Sequence, residues 1–366
     1  MSESEFKKRT PHGIKPVQRA PAPITPTGVR PVQRDRLSWQ QFKAEETRYD
    51  AMPFRACGRS GLKLPLLSLG AWETFGGYVG PEIARGCIFG AFNLGITYFD
   101  LANNYGTPPG RAEIMVGRAL REMPREEIIV ATKAGFRMWP GPYGDGSSRK
   151  SLLNSIDSSL KRLGLDYVDI YYSHRYDPET PLEETLRALD QVVTHGKALY
   201  VGLSNYPADV FAQACRLAHE LDLAPVVVAQ ERYNMFRRGI EGELLTSARD
   251  LGVGVIAYSV LAQGLLSTKY LDGAPEGSRA IRRWDEAQRD SIAATRERVV
   301  RLNQIAHARG QSLPQMAIAW ALRTPQVTTA LIGASDIDQI EENVRALEKL
   351  SFDDDEMRQI ETILAS

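Results

Sequence analysis

From Leu66 onward, short apolar runs alternate with longer segments in which apolar residues recur every three or four positions. The runs LLSLG (66–70), ITYFD (96–100), IIVATK (128–133) and YVDIYYSH (167–174) predict strands, as do LYVGLS (199–204), VVVAQ (226–230), VGVIAYS (253–259) and TTALIG (328–333). Between them RAEIMVGRALREM, RKSLLNSIDSSLKRLG, LEETLRALDQVVTHG and EGELLTSARDLG place apolar residues at i, i+3, i+4 and i+7. Several of these segments close on a Gly, the residue best suited to the left-handed position after a helix. A strand followed by a helix, eight times over, predicts an α/β fold: a closed (β/α)8 TIM barrel with extra helices. Uninterrupted apolar strands suit a parallel sheet covered on both faces. An open doubly wound sheet is the alternative, but no strand is followed by G-x-G-x-x-G. Ahead of the barrel, FRACGRSGLKLP (54–65) predicts a β-hairpin, with Gly58, Ser60 and Gly61 supplying the turn.

The first 48 residues have a different texture. PHGIKPVQRAPAPITPTGVRPVQRD is rich in Pro and Arg, lacks periodicity, and contains the near-repeat KPVQR (15–19) and RPVQR (30–34). Such sequence buries too little apolar surface to offset its ordering entropy. The expected division is a disordered tail over 1–48 and a barrel domain over 49–366, with a docking arm as the other reading of the tail.

Composition narrows the function classes. Lys and Arg number 45 against 45 Asp and Glu, which argues against a basic nucleic-acid footprint or a general affinity for acidic membranes. No apolar run approaches the roughly 20 residues of a membrane span. The N-terminus offers no signal-peptide core. Cys57, Cys87 and Cys215 are scattered, without metal-ligand spacing or a disulfide framework. The expectation is a cytoplasmic enzyme without a metal and without membrane insertion.

In a barrel the chemistry sits at the C-terminal strand ends. Asp100 ends the second predicted barrel strand, with Tyr105 five residues on in DLANNYG; Lys133 closes the third in ATKAG and His174 the fourth in YYSHR. Singly, each has a bland reading as a cap, packing or core residue. Jointly, a carboxylate, phenol, ammonium and imidazole converge on one mouth. A phenol has a reference pKa near ~10, and a neighbouring ammonium favours its ionised form, while a carboxylate keeps that ammonium charged and placed. The imidazole suits a hydrogen bond to a carbonyl oxygen. Such a set protonates an oxyanion, and the hydride must come from a cofactor.

DLANNYG, ATKAG and YYSHR resemble the Asp, Tyr, Lys and His motifs of the aldo-keto reductases, and the likeness runs from about Tyr49 to Ile363. FRACGRSGLKLPLLSLG, KAGFRMWPGPYG, GKALYVGLSNY and YSVLAQGLLSTKYL resemble the branch that contains bacterial L-glyceraldehyde 3-phosphate reductase and the potassium-channel β subunits. The resemblance implies that Tyr105 is the general acid, Lys133 tunes it, Asp100 holds Lys133, and His174 orients the carbonyl. It also implies a nicotinamide site at the mouth. There Ser204, Asn205 and Gln230 would bind the carboxamide, Tyr258 would stack on the ring, and Trp72 would border both cofactor and substrate. Ser259, Leu261, Gln263 and Gly264 would follow the pyrophosphate, with charge from Lys269 and Arg279. Gly333, Ser335, Gln339, Glu342 and Asn343, from IGASDIDQIEEN, would take the adenosine end at a helix N-terminus.

This sequence departs from the family pattern at Val260, where relatives carry Pro, at Thr268, where they carry Gly, and at Asp336, often Arg or Asn. A carboxylate near the adenosine 2′-phosphate repels it, so NADPH is the expected cofactor with NADH as the alternative. Trp72, Tyr78, Trp139 and Arg137 are the candidate pocket residues, with Arg137 suited to a substrate phosphate. The expected activity is NADPH-dependent reduction of L-glyceraldehyde 3-phosphate, methylglyoxal or a similar small aldehyde, in a homotetramer or octamer. Two other readings are a cofactor-loaded sensing or channel-type regulatory subunit with little turnover, and a Schiff-base lyase using Lys133.

Overall fold

The computed structural model describes residues 42–365, so the expectation for 1–41 lies outside the described residues. Residues 42–48, grouped with the tail on composition, pack on the barrel domain. The Phe42 ring stacks on Phe89 at 4.1 Å, the Glu45 amide donates to Asn93 Oδ1 at 3.1 Å, and Arg48 pairs with Glu127. Phe42 supplies an apolar anchor for this segment.

The predicted hairpin forms from β1 (Phe54–Ala56) and β2 (Lys63–Pro65), antiparallel with Arg55 opposite Leu64. The barrel strands are β3 (Leu67–Gly70), β4 (Tyr98–Asp100), β5 (Ile129–Ala134), β6 (Val168–Ser173), β7 (Ala198–Ser204), β8 (Val226–Arg232), β9 (Gly254–Tyr258) and β10 (Val327–Ile332). They close in the order β10-β3-β4-β5-β6-β7-β8-β9, every pairing parallel.

The outer layer begins with α1 (Pro81–Asn93), α2 (Arg111–Leu120), α3 (Arg149–Leu163), α4 (Leu182–Thr194), α5 (Ala208–Glu220) and α6 (Glu243–Leu251). It continues with α7 (Arg279–Arg283), α8 (Glu286–Ala308), α9 (Leu313–Leu322), α10 (Ile337–Val344) and α11 (Asp354–Leu364). Helices α7, α8 and α11 are additions to the repeating strand–helix unit. The boundaries follow local chemistry. Ser148 caps α3 by accepting the Ser151 N–H, and Gly164 ends it in the left-handed conformation at φ 67°; Gly252 ends α6 likewise.

Strands bury both faces. Every residue of β6 is buried, as a sheet enclosed by helices requires. Side chains alternate between the helix layer and the barrel interior. Tyr98, Ala131, Ile170, Tyr172, Val228 and Ile256 fill the interior, where Cys57, Leu62 and Leu64 of the hairpin region join them. The same alternation carries Asp100, Lys133, Ser204, Gln230 and Tyr258 inward at the next level up, toward the C-terminal mouth.

The interior has no slack beneath that level. A Cβ on Gly202 would lie 2.4 Å from Tyr172 Cε1 and 2.7 Å from Val228 Cγ1. Gly202→Ala is therefore expected to destabilise the fold by about 1–3 kcal/mol, measured by urea unfolding; an unchanged midpoint would show that the Tyr172 ring has room to move.

Candidate active site

A cavity of about 1080 Å³ opens at the C-terminal ends of the strands. Asp100, Tyr105 and His174 line it, and Lys133 lies behind them, wholly buried. Lys133 Nζ donates to Asp100 Oδ2 at 2.5 Å and to the Leu101 carbonyl at 2.7 Å. The other carboxylate oxygen of Asp100 accepts from Gln230 Nε2 at 2.8 Å and Tyr98 OH at 3.0 Å. Tyr98 OH lies 3.0 Å from Tyr172 OH, extending the network down the barrel. Asp100 is thus held by three donors from three directions, as a buried charge needs.

Tyr105 sits in the loop after β4. The Tyr105 carbonyl accepts from the amides of Gly110 and Ala112 at 3.1 and 3.2 Å. Gly106 follows at φ 92°, where a Cβ would press on Ala112 N at 2.7 Å, so the turn that seats Tyr105 requires glycine. The Asn103 amide donates to the Lys133 carbonyl at 2.9 Å, and its side chain donates to Ser155 Oγ at 3.3 Å. The Lys133 ammonium lies 5.2 Å from the Tyr105 ring centroid, and the His174 ring meets Tyr105 edge-on at 5.8 Å.

The electrostatics correct one expectation. Burial pushes the Tyr105 phenol well above its ordinary value, and the negative charge of Asp100 pushes the same way. Burial outweighs the neighbouring ammonium, whose charge the paired Asp100 carboxylate offsets. Burial pushes Lys133 itself down, opposed by Asp100. His174 is held well below its usual range by burial, then by Lys133 and Arg175. At neutral pH the mouth therefore presents a protonated phenol and a neutral imidazole.

Beside these residues a polar wall is built from β7 and β8. Ser204 Oγ donates to the Gln230 carbonyl at 2.8 Å. Asn205 adopts φ 55°, a strained setting for a non-glycine residue. Its side chain donates to the His174 carbonyl at 3.0 Å and accepts from Tyr258 OH at 2.6 Å. Glu231 underpins the turn: it is buried and accepts the Tyr206 amide at 3.2 Å. Burial pushes its carboxyl from 4.5 up to about 8, against the bonds from Tyr206 and Asn205. A carboxyl that keeps its proton longer when folded gives stability that is full below 4.5 and is lost as pH rises toward about 8. Glu231→Gln is expected to raise unfolding stability at pH ~8 by roughly 2–4 kcal/mol and to change little at pH ~5; the same gain at both values would assign the effect to packing.

Farther along the cavity, Ser259, Leu261, Gln263, Gly264 and Lys269 line the segment after β9. Ser259, Ala262 and Gln263 have φ of 60°, 49° and 59°, a run of left-handed residues of the kind that turns backbone toward a ligand. Trp284 Nε1 donates to Gln263 Oε1 at 3.1 Å. Val260 is buried in the wall, whereas Thr268 is exposed and starts a short turn capped by Ser267. Gly333, Ser335, Gln339, Glu342 and Asn343 line the far end at the start of α10. Asp336 is the N-cap of that helix, accepting the Gln339 amide at 2.9 Å and Gln339 Nε2 at 2.6 Å. Its carboxylate is thus accounted for by the helix start. The Arg279 side chain lies outside the described residues.

Trp72 and Tyr78 line the cavity, and the Arg282 guanidinium lies 3.7 Å from the Tyr78 ring centroid. Arg137 and Trp139 do not form its wall. Their loop turns back on itself, Met138 N donating to the Gly144 carbonyl at 2.8 Å, and leaves both side chains exposed. Residues that the sequence reading passed over complete the lining, among them Asn104, Phe136, Arg175, Tyr176 and Arg232. Arg232 was within reach: it stands two residues beyond Gln230, on the same face of the strand.

The cavity suits a nicotinamide nucleotide in shape and chemistry. Amides and a hydroxyl cluster beside the phenol and imidazole, a flat aromatic wall stands next to them, and an open backbone turn leads to a helix N-terminus. His174 Nδ1 and Asn104 Oδ1 are buried without a hydrogen-bond partner among the described residues, polar groups left for a ligand to satisfy. Among the described residues no helix is long and apolar enough to cross a membrane.

Comparison with known proteins identifies the family. Residues 66–365 match the model of the Aldo/keto reductase family. The chain is 49% identical over 330 residues to a protein named L-glyceraldehyde 3-phosphate reductase from Escherichia coli O157:H7, covering 88% of this chain and 95% of that one. The protein of the same name from Escherichia coli strain K12 is 48% identical over the same shares. A probable voltage-gated potassium channel subunit beta from Oryza sativa subsp. japonica is 39% identical over 81% of this chain and 92% of its own length.

Proposed function

The chain belongs to the aldo/keto reductase family and is an oxidoreductase, and from that premise we propose that it reduces short, phosphorylated aldehydes such as L-glyceraldehyde 3-phosphate with NADPH. The observation that carries the reading is the joint placement of Tyr105, His174 and the Lys133–Asp100 pair at one end of a nucleotide-sized cavity. NADPH, when bound, supplies the hydride. The chain's own residues handle the oxygen. His174, neutral, donates a hydrogen bond that orients the aldehyde carbonyl, and the Tyr105 phenol, kept protonated by burial, gives its proton to the developing alkoxide. Asp100 and Lys133 place a compensated charge beneath Tyr105, so that the phenolate left behind faces an ammonium. Ser204, Asn205 and Gln230 would hold the carboxamide, Tyr258 the ring, the 259–264 turn the pyrophosphate, and the start of α10 the adenosine phosphate.

NADPH is favoured by the helix N-terminus and by Ser335 and Gln339. Asp336 lies next to them, so the ratio of NADPH to NADH affinity measures how strongly its carboxylate acts. The aldehyde class follows from the names of the bacterial relatives. The test is oxidation of NADPH by the purified protein with glyceraldehyde 3-phosphate and with methylglyoxal. Turnover on the first above the second supports the reading. Tight NADPH binding without turnover on either would favour a regulatory subunit, as the likeness to the plant channel protein allows.

A further inference from the structure

We propose that Arg232 is the anion-binding residue of the aldehyde pocket and fixes the phosphate of a phosphorylated substrate, an inference that rests on the reductase reading above. Arg232 is the last residue of β8 and lines the cavity. Its guanidinium lies 5.7 Å from the Tyr258 ring centroid. Tyr258 OH donates to Asn205, which in turn donates to the His174 carbonyl. The guanidinium therefore stands toward the reacting end of the cavity, linked through Tyr258 and Asn205 to the backbone of His174.

The other cations on the cavity wall are engaged or elsewhere. Arg175 pairs with Asp145 at 2.8 Å and donates to the Gly135 carbonyl at 3.1 Å. Lys269 and Arg282 stand on the segment after β9, and Arg282 covers the Tyr78 ring. Arg232 makes no ion pair with any described residue. Its chain neighbour Glu231 faces the opposite way and accepts the Tyr206 amide, so strand alternation keeps that carboxyl from neutralising it. Arg137, which the sequence suggested for a substrate phosphate, is off the cavity wall. A guanidinium is suited to the task because its planar fork offers paired donors to phosphate oxygens, and a phosphate monoester brings a charge of about −1.5 to −2 at neutral pH.

The experiment compares kcat/KM for glyceraldehyde 3-phosphate and for glyceraldehyde in wild type, Arg232→Ala and Arg232→Lys, with NADPH affinity measured by fluorescence titration. Arg232→Ala is expected to lower the phosphorylated-to-unphosphorylated ratio by roughly 10- to 100-fold, mainly through KM, with Lys restoring part of it. Inorganic phosphate should compete with glyceraldehyde 3-phosphate in wild type and lose that effect in the Ala variant. An equal loss on both aldehydes overturns the proposal, as does a loss of NADPH affinity of the same size, which would put Arg232 on the cofactor. A wild type that turns over neither aldehyde overturns the reductase reading and this inference with it; turnover with an unchanged ratio overturns the inference alone.

Discussion

Tyr105→Phe is expected to lower kcat for aldehyde reduction by roughly 10²- to 10⁴-fold, the range that a positioned proton donor contributes, while the affinity for NADPH stays close to wild type. The substitution removes one hydroxyl and leaves the ring that His174 meets edge-on at 5.8 Å. The loop is held by the Tyr105 carbonyl, which the change does not touch. Single-turnover absorbance and fluorescence titration separate the two quantities. A kcat within tenfold of wild type would remove Tyr105 from the role of general acid. Because burial holds the phenol well above its ordinary value, the donor stays protonated across the neutral range. The wild-type rate should therefore show no tyrosine-dependent fall until strongly alkaline pH.

The second large effect concerns stability. Lys133→Met leaves the Asp100 carboxylate buried with only Gln230 and Tyr98 as donors, and is expected to destabilise the protein by about 3–5 kcal/mol, as breaking a buried pair does. The double variant Asp100→Leu, Lys133→Met removes both charges and should recover much of that loss, since buried pairs repay little beyond their desolvation. Urea unfolding of the two single variants and the double gives the coupling energy. Losses that simply add would show that Asp100 and Lys133 act independently, and the 2.5 Å contact between them would then carry no special weight.

The barrel was legible in the sequence because a strand buried on both faces has no alternative to an apolar run; β6, buried throughout, is YVDIYYSH almost residue for residue. The inward residues of the mouth were legible for a related reason, since they end strands whose phase the apolar run sets. The loops were not. Arg137 and Trp139 carry the right chemistry, but a turn closed between Met138 and Gly144 turns them away from the wall, and no periodicity records such a turn. Asp336 also has a structural reason to be there, since it starts a helix; the capping signature is Asp followed three residues on by Gln339. The Tyr105 phenol lies above its ordinary value rather than below it because spacing does not show how deeply the residue is buried.

The shared phase of the strands has a consequence for how this protein can change. Asp100, Lys133, Ser204, Gln230 and Tyr258 all reach the mouth because β4, β5, β7, β8 and β9 present them inward; a single-residue insertion within any of those strands would turn its member outward. Strand length is therefore closed to variation, while the 135–147 loop and the segment between β9 and α8 are not under that constraint. Heritable change in substrate range should accumulate in the 135–147 loop and at the last strand position, where Arg232 stands, since the segment after β9 is also assigned to the pyrophosphate. A library confined to them would explore new aldehydes without disturbing the proton donor, whereas one spread over the strands would mostly yield proteins that have lost it.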